Sequence, residues 1–81
     1  MPSMVKMVNL YTANAGNVFQ VTKMPSIGLL ENIGLRVGTK VSVRHRYALG
    51  GPVLLHVEDS FSVAIGKDIA THITVKEVPA R

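Results

Sequence analysis

The 81-residue chain contains no cysteine and no tryptophan. Disulfides and thiolate metal sites are thereby excluded, and with them the staples on which small secreted domains usually rely. The composition favours a reducing cytoplasm. Aromatic residues are scarce, with two Tyr and two Phe. Phe19 and Phe61 both fall on predicted inward faces, which leaves few rings for stacking on nucleic-acid bases. Acidic residues are also few: nine Lys and Arg against five Asp and Glu give a formal charge of +4. No apolar run approaches the roughly 18 residues that span a bilayer. Nor does an apolar run of about 7 follow Lys6, as a signal peptide requires. The expectation is a soluble, cytoplasmic chain with no direct membrane insertion.

A chain of this length makes one domain, and it buries only about 60% of its unfolded surface. A deep enclosed active site has no room here. The domain is expected over residues 8–79, with residues 1–7 fraying.

What is present centres on residues 34–57. Val41, Val43, His45 and Tyr47 alternate with Lys40, Ser42, Arg44 and Arg46, the period-two pattern of a half-buried strand. Val53, Leu55 and Val57 repeat it on a second strand. Between them stands Leu49-Gly50-Gly51-Pro52. The glycines permit backbone angles that a Cβ resists, and Pro52, with no N–H, suits the first position of a strand. The stretch predicts an antiparallel hairpin with a shaped, exposed loop.

Upstream, Val18–Lys23 reads as a strand on which Phe19 and Val21 share a face. Pro25 ends it. Ser26 is a candidate N-cap, and Ile27, Leu30 and Ile33 recur at helical spacing with Leu29 beside them. Gly34 stands where a helix end wants a left-handed residue. Downstream, Glu58-Asp59 predicts a tight turn. Phe61, Val63 and Ile65 then point inward on a return strand, and Ile73 and Val75 on a last one. The fold class is mainly β: a small barrel of about five antiparallel strands with a short helix between the first two.

Catalytic motifs are missing. Gly34 and Gly38 are not followed by the Gly-Lys-Ser/Thr ending of a phosphate loop. Glu58 and Asp59 are neighbours in a turn and point apart. Ser60 and Ser62 alternate with core residues and form no nucleophile elbow. The chain reads as a non-enzyme. His45, His56 and His72 lie on three different strands with mismatched parity. No resident metal or other cofactor is expected, although one or two of these side chains can bind a transition metal weakly. Lys40, Arg44 and Arg46 share the outward face of one strand. That stripe is either a solvated face or a docking stripe for an acidic partner. With Leu49, Gly50 and Gly51 it forms the candidate partner-binding surface. Leu49 is either an apolar anchor on that surface or a plug folded into the barrel end.

The ordered set Leu30, Gly34, Leu35, Gly38, Val41, Val43, then Leu49, Gly50, Gly51, Pro52, then Ala70, Ile73, Val75 resembles the FeoA family. These are small accessory proteins of bacterial ferrous iron uptake. The resemblance implies an SH3-like barrel, and as partner the cytoplasmic side of FeoB, the membrane ferrous iron transporter. Family members often carry proline where Val37 stands, basic residues where Ile27 and Gly28 stand, and arginine near Gly66; contacts through those charges do not carry over. The same barrel ends iron-dependent repressors resembling DtxR. No helix-turn-helix precedes it before Met1, so a free-standing protein is expected. Two other functions fit the composition: a small basic nucleic-acid-binding barrel, disfavoured by the scarce rings, and a histidine-based transition-metal carrier or sensor.

Overall fold

The computed structural model describes residues 7–78. Of the segment expected to fray, residues 1–6 lie outside the described residues; Met7 opens a strand. The order is β1 (Met7–Asn9), a 3-10 turn (Leu10–Thr12), β2 (Val18–Lys23), α1 (Gly28–Asn32), β3 (Lys40–Arg46), β4 (Val53–Val57), β5 (Ser62–Ile65), α2 (Lys67–Ala70) and β6 (Thr74–Glu77). All six strands pair antiparallel in one sheet ordered β1-β6-β2-β3-β4-β5. The fold is an open, SH3-like small barrel.

The described residues form six strands, one beyond the expected number of about five. The added strand, β1, pairs with β6 through Met7 and Lys76, Val8 and Val75, Asn9 and Thr74. Three residues carry too little alternation to announce a strand, and their partner lies at the other end of the chain.

The core collects the inward residues of β2, β3, β4 and β6: Phe19, Val21, Val41, Val43, Val53, Leu55 and Val75. Phe61 and Val63, expected inside, are only partly buried because β5 is the sheet's margin. The turn and helix segments add Leu10, Ala13, Leu35 and Ala70.

Helix α1 is shorter than Ile27–Ile33, and Ser26 does not cap it. The Ile27 carbonyl accepts from the amides of Leu30 and Glu31, so the cap position belongs to Ile27. The helix end follows from the sequence as expected. Gly34 takes φ 89°; its amide donates to Glu31 O, and that of Leu35 donates to Leu30 O. This is the paired bonding of a Schellman end. Leu30 and Leu35, which hold the positions of its usual apolar pair, are both fully buried. One five-residue helix is unstable alone; the burial of Leu30 holds it.

Candidate functional site

The β3–β4 hairpin carries the candidate surface. From Val41 to Val43 strand β3 alternates as the sequence predicts. Then the register shifts: Val43 faces Leu55, but His45 faces Leu54 and Arg46 faces Val53. Arg44 and His45 together oppose one residue, which is a β-bulge. An extra residue reverses the parity of everything after it. The expected stripe of Lys40, Arg44 and Arg46 on one outward face is therefore incorrect. Lys40 and Arg44 are exposed. Arg46 turns inward at the strand end and is half-buried.

Arg46 has a structural task there. Its Nε donates to Tyr11 O and its Nη2 to Ala13 O, and its Cζ lies 5.9 Å from the centre of the Tyr11 ring. It ties the hairpin to the 3-10 turn that crosses the barrel end. Tyr11 answers from the other side: its hydroxyl donates to Gly51 O at 3.2 Å. Lys67 Nζ stands 5.5 Å from the same ring. Sequence reasoning missed Tyr11 and Lys67, since no local signal ties them to a loop that is distant in the chain. His45, expected on the apolar face, is exposed by the same bulge and meets Tyr47 edge-on at 4.4 Å.

The loop is a tight turn with two consecutive left-handed residues, Leu49 at φ 60° and Gly50 at φ 74°. Gly51 N donates to Ala48 O at 3.2 Å. This is the pattern of a type I′ turn, whose twist suits a hairpin. Gly51 is required by close approach: a Cβ there would lie 2.9 Å from Tyr47 Cβ. Leu49 is the anomaly. A branched apolar residue in a left-handed position costs roughly 1–2 kcal/mol, and Leu49 is 103% exposed. Of its two expected fates, the plug is excluded.

The rest of the surface offers little to a small molecule. A depression of 220 Å³ between β2, β3 and the β4–β5 turn is lined by Val18, Ser42, His56, Glu58 and Asp59, below the roughly 300 Å³ where ligand pockets begin. His56 Nδ1 lies 3.2 Å from Ser62 Oγ. Among the described residues, no three His, Cys, Asp or Glu side chains gather as metal ligands. Nor, among these residues, is any helix long and apolar enough to cross a membrane.

The family follows from the sequence pattern that builds this hairpin and the glycine-ended helix before it. The description FeoA domain matches residues 8–77, nearly the whole chain. The chain belongs to the FeoA family. That places it among ferrous iron transport accessory proteins. Solved structures agree on the fold. A crystal structure of iron uptake regulatory protein (FeoA) is 24% identical with a TM-score of 0.78, over 90% of this chain and 99% of that one. The solution structure of FeoA from Chlorobium tepidum is 23% identical with a TM-score of 0.79, over 91% and 73%. A manganese-dependent transcriptional repressor is 16% identical with a TM-score of 0.81; 94% of this chain matches only 44% of that chain. No curated protein matches in sequence.

Proposed function

We propose that this FeoA protein is a non-catalytic, cytoplasmic accessory protein that acts by docking on the cytoplasmic part of the ferrous iron transporter FeoB. The hairpin tip is the working face. One observation carries this: Leu49 stands wholly exposed in a strained backbone conformation. Stability gives no reason to keep it, and strain at a surface residue points to use. Gly50 and Gly51 shape the turn that presents Leu49, and Tyr11 braces its base. Of the exposed cations on the same hairpin, Arg44 lies nearer the tip and Lys40 at the far end of β3 beside Glu58, so both charges act by steering encounter more than by holding the complex. Arg46 serves the site by fixing the loop's base, not by touching the partner. The protein holds no resident metal or other cofactor, and its scattered histidines bind transition metals only weakly.

The test is binding to FeoB's isolated cytoplasmic domain at low and physiological salt. The native chain should bind, and a Lys40→Glu, Arg44→Glu double variant should associate more slowly with a flatter salt dependence. Equal association by the double variant at both salts removes these charges from the interface. Absence of any binding removes the proposed partner.

A further inference from the structure

The sheet has an unguarded margin at β5. Two hydrogen bonds establish which of its main-chain groups are free. Glu58 N donates to Lys40 O, so the even-numbered residues of β4 bond β3. Val57 N donates to Phe61 O, so the odd-numbered residues of β4 bond β5. On β5 the groups of Phe61, Val63 and Ile65 are therefore spent on β4. The amides and carbonyls of Ser62 and Ala64 point away from the sheet, and among the described residues nothing bonds them on that side. The strand Ser62-Val63-Ala64-Ile65 has no charge, proline or bulge, the devices that normally blunt an edge.

We infer that β5 pairs antiparallel with β5 of a second copy, joining two barrels through one continuous sheet. The free groups fit this occupant. Two outward residues, Ser62 and Ala64, match Ala64 and Ser62 of the other chain about a two-fold axis at Val63, and each such pair exchanges both its N–H···O bonds. The side chains fit as well. On the outer face small Ser62 meets small Ala64. On the inner face Val63 meets its own copy and Phe61 meets Ile65. Phe61 and Val63 are the strand's inward residues left only partly buried, and the second copy covers them. A strand from another protein would need its own complementary sequence to match this two-fold register about Val63.

Three measurements test this. Sedimentation equilibrium of the native chain should show a dimer that grows with concentration. Ala64→Pro removes an amide that β4 does not use, so the barrel keeps its internal bonds, but the dimer loses a hydrogen bond per copy and weakens by roughly thirtyfold. Should that variant fail to fold, Ser62→Lys with Ala64→Lys places like charges opposite each other and should likewise yield a folded monomer. Val63→Cys sets two thiols in a non-hydrogen-bonded pair, at a spacing a disulfide accepts. Mild oxidation should link it into a dimer far faster than Lys23→Cys on β2. A native chain that stays monomeric at all concentrations overturns the inference, as does a dimer untouched by both edge variants. Cross-linking of Val63→Cys no faster than the control also overturns it.

Discussion

Replacing Leu49 with Asn should make the protein more stable. The magnitude follows from the turn. Leu49 holds φ 60°, and a left-handed conformation costs a residue with a bulky side chain about 1–2 kcal/mol. Asn tolerates that conformation, and Asn-Gly is the preferred pair of a type I′ turn. Since Leu49 is fully exposed, no burial is lost. The expected gain is about 1 kcal/mol, which for a domain of this size raises Tm by roughly 4–8 °C. Leu49→Ala keeps a Cβ in the strained position and should stay within about 0.5 kcal/mol of the native chain. Leu49→Gly relieves the strain but frees the unfolded chain by about 0.4–1 kcal/mol, so it should fall between the two. Urea and thermal melts of the three variants give the ranking directly. A lower midpoint for Leu49→Asn, or a loss above about 2 kcal/mol for Leu49→Ala, would mean that Leu49 packs against something, and the reasoning about the tip would fail.

Leu30→Ala should cost about 2–5 kcal/mol in chemical denaturation, because Leu30 is fully buried and locks α1 to Leu35. An unchanged midpoint would remove α1 from the core. Arg46→Ala should cost about 1–3 kcal/mol through its lost bonds to Tyr11 O and Ala13 O, whereas Arg44→Ala should stay within about 0.5 kcal/mol. Equal effects in thermal melts would contradict the bulge that separates the two. Titration with iron(II) or zinc should show only weak or substoichiometric binding; one tight site per chain would refute the reading of His45, His56 and His72 as scattered.

The parts of the fold legible in the sequence are those fixed by near neighbours. Alternation placed Val41, Val43, Val53, Leu55 and Val75 inside, and Gly34 marked the helix end, because periodicity and left-handed glycines act over a few residues. What escaped depends on distant partners. The three residues of β1 become a strand only against β6. Leu10 and Ala13 are buried, yet they lie in turns that no periodicity flags. The bulge at Arg44 and His45 has no glycine to announce it, so the sequence pattern ran straight through it and set Arg46 on the wrong face. At the tip, composition could show a glycine-rich loop but not whether Leu49 turns in or out. The folded turn settles it: Gly51 N bonds back to Ala48 O, and Leu49 at the tip stands fully exposed.

The central claim, that the hairpin tip docks FeoA on its transporter, is tested most directly by the affinity of Leu49→Asn for the FeoB cytoplasmic domain, measured alongside its melting temperature. An exposed anchor should separate the two readouts: binding weaker by roughly tenfold or more, as for an interface residue worth above about 1.4 kcal/mol, in a protein at least as stable as the native chain. Native affinity in the stabilised variant would contradict the claim and move the working face elsewhere on the barrel.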